Sequence, residues 1–199
     1  MAKPPSLRQR ILRTNAEFAE ASPAKQRVMI AYDILSGLKC RKLRSEKGTL
    51  LFVRDNKGNM LPHDACSPDA TRMPTCTVCA RGALLVCALF RGSAVRNNDH
   101  YPIQDSALWD ELTMVRIEAA FEGWHESYAN GAYEVPTFTP DEAKWHDLCV
   151  QTKPDGVSVS DTLLTRIAEN IISNDGDFDV TCGKWSISAL KEQLNVTQG

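Results

Sequence analysis

No apolar run in the sequence approaches the roughly 20 residues needed to cross a bilayer. The longest, Ala83 to Phe90, is the length of a core segment. The first ten residues, Met-Ala-Lys-Pro-Pro-Ser-Leu-Arg-Gln-Arg, lack the apolar centre of a signal peptide. A cytoplasmic chain with no membrane partner is the expectation. An excess of one charge is missing as well. Twenty-three basic and 25 acidic residues leave a formal net charge of −2. That argues against general nucleic-acid binding through a strong positive field, though not against a local basic patch. The chain holds no glycine-rich phosphate loop, no serine elbow and no paired-histidine metal motif. Asp175, Asp177 and Asp179 have the look of a calcium loop. Val180 and Ser186 stand where that loop needs glycine and glutamate, so a polar turn is expected instead. There is no internal repeat and no low-complexity tract.

What is present suits one globular domain, with 199 residues, 43% of them apolar and 24% charged. Seven cysteines, at 40, 66, 76, 79, 87, 149 and 182, are odd in number and irregular in spacing. Reduced thiols are the expectation for such a set. Residues 1–22 read as a basic arm or helix carrying Arg8, Arg10 and Arg13, and residues 23–199 as a single mainly helical domain.

Pro74 to Arg91 is the segment around which the rest is organised. From about Thr77 it reads as a helix apolar on almost every side, interrupted by Arg81, and such a helix belongs inside a domain. Gly82 costs roughly 1 kcal/mol relative to alanine in a helix interior. Close backbone approach is a reason to keep it. Ahead of this segment, Ser22-Pro23 starts a helix to about Leu38, with Val28, Ala31, Ile34 or Leu35, and Leu38 buried. Residues 43–61 read as a small β-hairpin about the turn Asp55-Asn56-Lys57-Gly58. Residues 62–75 are a long loop with three prolines, and 93–104 an exposed loop. Asp105 or Ser106 is expected to cap a long helix to about Asn130. Further helices follow around Trp145, from Ser160 or Asp161 through Ile172 to the stop at Asn174-Asp175-Gly176, and from Ser186 to Leu194. The predicted fold is mainly α: a compact helical domain around a central buried helix at about 77–91, with the hairpin as its minor β element.

Cys76-Thr-Val-Cys-Ala-Arg-Gly-Ala-Leu resembles a segment of uncharacterised small proteins from bacteriophages and prophages, which carry a similar Cys-x-Val-Cys-Ala-x-Gly-Ala-Leu helix. Arg27 to Leu35, Ala119 to Trp124, and Arg166 to Ile172 with its Asn-Asp-Gly-Asp-Phe sequel fit the same order. The likeness runs over about residues 25–180. It implies a small intracellular protein of phage type and carries no activity with it.

Three kinds of chemistry are candidates. His63 and Cys66 with Cys76 and Cys79 make a Cys3His set that suits zinc. A zinc there would pin the proline-containing loop to the central helix. The bland alternative is that these cysteines are small buried hydrophobes. Thiol catalysis is the second: Cys79 near a helix N-terminus, with His63, His100 or His125 as base. It lacks the preceding strand of a thioredoxin-like motif as read from sequence. The third is anion or partner binding by Arg72, Arg81, Arg91 and Arg96, with Tyr101 beside them. Arg81, if buried, must pair with Glu118, Glu122 or a ligand. The expectation drawn from this is a non-catalytic phage-type accessory protein. It binds a host protein or a small anionic ligand, counter-defence sequestration being one form of that. A zinc-stapled interaction module and a thiol-dependent enzyme are the alternatives.

Overall fold

The computed structural model describes residues 15–46, 48–55, 57–61, 74–97, 104–122 and 158–178. Their helices are α1 (Pro23–Lys39), α2 (Ala80–Phe90), α3 (Glu111–Glu122) and α4 (Val159–Ser173), with a further helical stretch at residues 15–20. Their strands are β1 (Leu43–Ser45), β2 (Leu51–Arg54), β3 (Met60–Leu61), β4 (Thr75–Val78), β5 (Val95–Asn97) and β6 (Gln104–Ser106). Six strands, 17% of the described residues, make this a mixture of helix and sheet, and the mainly α expectation is corrected. The strands are two to four residues long, too short for period-two alternation to stand out from helical spacing.

The first sheet has the order β1-β4-β2-β3. β2 and β3 form the expected hairpin, with Val53 opposite Leu61 and Arg54 opposite Met60. Asp55 holds its turn, one carboxylate oxygen accepting from the amides of Lys57 at 2.7 Å and Asn59 at 2.8 Å. The Asn59 side chain donates to the other, and that bond above all holds the Asp55 carboxyl below its ordinary range. β1 is not part of the hairpin. It lies at the far edge of the sheet, parallel to β4. β4 occupies residues read from sequence as helix. Thr75, Cys76, Thr77 and Val78 alternate between half-buried and buried, and two threonines and a valine favour the pleat. The helix therefore starts later, at Ala80, with Cys79 as its cap.

α1 is capped by the Ser22 hydroxyl and opened by Pro23. Its fully buried positions are Ile30, Ala31, Ile34 and Gly37, so the stripe is rotated from the one expected; Val28, Leu35 and Leu38 are only half-buried. α4 is capped by Ser158, ahead of the expected Ser160 or Asp161, and buries Leu163, Leu164, Ile167 and Ile171. The chain beyond it stops at Gly176, whose amide donates back to Ile171 O at 2.8 Å. The expected exposed loop after α2 is instead a two-stranded ribbon, β5 against β6. Asp105 lies in that ribbon, and Asp110 caps the following helix, accepting from the Thr113 amide at 2.9 Å. The expected helices around Trp145 and Ser186, and the end of the long helix at Asn130, lie outside the described residues.

α2 is the hub. Every residue from Ala80 to Ala88 is buried. The helix touches α1 and α3, the strands β1, β2 and β4 on one side, and β5 and β6 on another. A Cβ built on Gly82 would fall on the carbonyl oxygen of Leu50, with the carbonyl carbon only 2.7 Å away. The glycine is there because the chain entering β2 crosses α2 at backbone contact. Gly82→Ala should therefore destabilise the fold by about 2–3 kcal/mol, the upper part of the overpacking range, despite alanine's better helix propensity. Urea unfolding of the two proteins measures this, and an unchanged midpoint would contradict the close approach.

Candidate functional site

Arg81 sits on the first turn of α2 and is 3% exposed. Its Nε and Nη2 donate to the two carboxylate oxygens of Asp105 on β6, both at 2.6 Å. Its Nη1 donates to Glu118 Oε2 on α3 at 2.7 Å. Burial alone would lower the Arg81 pKa, but the Asp105 hydrogen bonds and the two carboxylate charges outweigh it and hold the guanidinium above its ordinary value. Glu118 moves up as well. Loss of water is the main cause, and the Asp105 charge adds to it against the pull of Arg81. For a simple ion pair these directions would conflict, since pairing should lower the acid. Glu118 moves up nonetheless, because one guanidinium faces two carboxylates and Asp105 holds the bidentate position.

Arg91, the residue after α2, donates from Nε and Nη2 to Asp33 on α1 at 2.6 and 2.7 Å. Its guanidinium lies 5.9 Å from the centre of the Phe18 ring. Burial lowers its pKa and the Asp33 contacts raise it, with the net direction upward. Both forks are thus directed at carboxylates of this chain. Arg96, on β5, differs. Its Nη2 is buried with no hydrogen-bond partner among the described residues, as are Trp109 Nε1 and Arg116 Nε. Arg96 is close enough to act on Asp110. Burial would raise the Asp110 carboxyl, but the Thr113 hydroxyl and amide, helped by the Arg96 charge, keep it below its ordinary range. Of the five expected ligand-binding residues, Arg72 and Tyr101 lie outside the described residues.

The expected zinc set is His63, Cys66, Cys76 and Cys79. His63 and Cys66 are outside the described residues. Cys76 is buried on the core face of β4, and Cys79 is buried at the head of α2, where its Sγ accepts from the Gly82 amide at 3.5 Å. Among the described residues no three His, Cys, Asp or Glu side chains gather as a metal site requires. The bases considered for thiol chemistry, His63, His100 and His125, also lie outside.

The surface that sequence reading passed over is the outer face of the first sheet. Arg44 and Phe52 both stand opposite Thr77, and Thr75 and Met60 both stand opposite Arg54. Residues opposite one another in a sheet project from the same face. Arg44, Thr77 and Phe52 therefore form one row across three strands, and Thr75, Arg54 and Met60 the next. Phe52 is 45% exposed and Met60 53%, and both arginines are exposed. The available signal was the alternation Leu51-Phe52-Val53-Arg54 ahead of a turn. It shows two faces without showing which one is buried.

Comparison with protein-family models, curated protein sequences and solved structures finds no match. Among the described residues no helix is long and apolar enough to cross a membrane.

Asp105→Ala should cost about 3–5 kcal/mol, because it leaves a buried guanidinium without its bidentate partner. A loss below 1 kcal/mol in chemical denaturation would show that Arg81 is not held as described. Glu118→Gln tests the upward direction. The native state keeps the Glu118 proton to higher pH than the unfolded chain, so wild-type stability falls as pH rises above 4.5 toward the higher native value. That component should vanish in the variant. The stability difference, wild type minus variant, should become less favourable to the wild type across this window, and a difference that moves the other way would reverse the assignment.

Proposed function

We propose that the protein is a non-catalytic binding protein of phage-accessory type that grips a host protein with the outer face of its four-stranded sheet. The observation that carries this reading is the exposure of Phe52 and Met60 in the same two rows of the sheet as Arg44 and Arg54. Aromatic residues, methionine and arginine are the types enriched where protein interfaces are buried, whereas lysine and acidic residues are depleted there. Fully burying a phenylalanine or methionine side chain contributes roughly 1.5–3 kcal/mol relative to leaving it in water. Two such anchors within a contact supply the well-packed apolar groups of a hot spot. Sequestration of a host component needs no bond-making chemistry from the chain. Recognition of a small anion is the weaker reading, since the forks of Arg81 and Arg91 are already filled by Asp105, Glu118 and Asp33.

Photo-crosslinking tests it. A benzophenone side chain in place of Phe52 should give discrete adducts with a host protein when irradiated in bacterial cells. The same replacement at Glu169, exposed on α4, should not. Matching adduct patterns from the two positions, or none from position 52, would overturn the reading.

A further inference from the structure

We infer that the partner lays an acidic segment, with carboxylates on either side of an apolar side chain, across β4 and β2. This rests on the binding reading above and adds the chemistry of what is bound. The six positions of the outer face carry two charges, both positive, at Arg44 and Arg54. Among the described residues neither guanidinium is paired with a carboxylate. Arg54 donates from Nη1 to Gly58 O at 3.0 Å, which orients it within the hairpin and leaves its other N–H groups to a ligand. Arg44 and Phe52 are separated by two strand spacings, about 10 Å, and Arg54 stands two residues along from Phe52, about 7 Å. A carboxylate at each guanidinium thus leaves an apolar group to cover Phe52, with Met60 beside Arg54 on β3 extending the apolar contact. Thr75 and Thr77 lie between, with hydroxyls that donate to the same oxygens.

Of the nearby acids, Glu46 is exposed two residues along from Arg44 and makes no ion pair with it among the described residues, and two others are held elsewhere. Asp55 is turned into the hairpin by three hydrogen bonds from Lys57 and Asn59. Asp161 accepts from the amide and hydroxyl of Ser45, both at 2.8 Å, at the β1 edge. That contact also occupies the β1 edge of the sheet. A second copy of the chain would bring the same two arginines against themselves. A single-stranded nucleic acid would find one aromatic ring and a chain of net charge −2. A bare oxyanion would leave Phe52 and Met60 without use.

The test is amide NMR of the full chain with three probes. They are a short synthetic peptide with two leucines flanked by glutamates, the same peptide with lysines for the glutamates, and oligodeoxythymidine. The glutamate peptide should shift the amides of Phe52, Arg54, Thr75 and Thr77 saturably. Affinity should fall about tenfold in Arg44→Glu with Arg54→Glu, a loss expected for two charge-assisted contacts. Arg44→Gln with Arg54→Gln, which alters the surface less, should fall between. Equal binding of the lysine peptide, or shifts at these amides from the oligonucleotide alone, would overturn the inference, as would silence from all three. If adducts still form from position 52, that failure sinks the acidic chemistry and leaves the binding reading standing; loss of the adducts sinks both.

Discussion

A guanidinium with no access to water has to be met by carboxylates, and the place of Arg81 on α2 dictates where β6 and α3 go. The fork of Arg81 accepts Asp105 in one bidentate arrangement, which fixes the rotation of α2 about its axis against the β5–β6 ribbon. Glu118 accepts from the third nitrogen, Nη1, and brings α3 to the same helix. Three elements separated in sequence are referred to a single planar group. The set carries one positive and two negative charges, and Glu118, which keeps some contact with solvent at 21% side-chain exposure, bears the excess. Asp105, with none, is the obligatory partner.

Other arginines work the same way at longer range. Arg91 bridges the end of α2 to Asp33 on α1. Arg27 on α1 donates to Gly176 O at 2.7 Å, to Leu108 O at 3.2 Å and to Asp177, so the start of α1 meets the chain after α4 and the approach to α3. Apolar burial supplies most of the driving force, but it is non-directional. These forks are directional, and they specify which ends of which helices meet. The bidentate and carbonyl geometry explains why arginine stands at these positions, since a lysine could not make two parallel contacts from one rigid head.

The parts legible in sequence were those with a local cause. Ser22-Pro23, the Asp55 to Gly58 turn and the Asn174-Asp175-Gly176 stop each contain their own instructions, and turns or boundaries fall there. The buried helix was visible from its nearly unbroken apolar run, and the need for a counter-charge at Arg81 followed from that burial, with Glu118 among the partners considered. What stayed hidden depended on pairing between distant segments. β4 is a strand because β1 and β2 flank it, and the strand preference of its two threonines and valine spans too few residues to announce that alone. Asp105 looks like a helix cap from sequence, having a helix shortly after it, yet Arg81 holds it in a ribbon. The outer-face residues were invisible for the same reason: exposure of Phe52 is a property of the assembled sheet.

The arginines thus divide into two populations by what answers their charge. Arg81 and Arg91 lie where water is scarce, and the chain supplies carboxylates at 2.6–2.7 Å to each. Arg44 and Arg54 lie on a face where water satisfies them, and among the described residues no carboxylate is set opposite. A surface arginine alone would need no explanation, because solvated charges are common. The case rests on what accompanies them. Phe52 and Met60 expose apolar area in the same two rows, and water is the poorest partner for both. A cover that buries those two side chains also strips water from the flanking guanidiniums, and a stripped guanidinium needs an acid. The apolar and the charged members of the face therefore impose one joint demand on whatever covers it. Carboxylates beside an apolar side chain meet both halves at once.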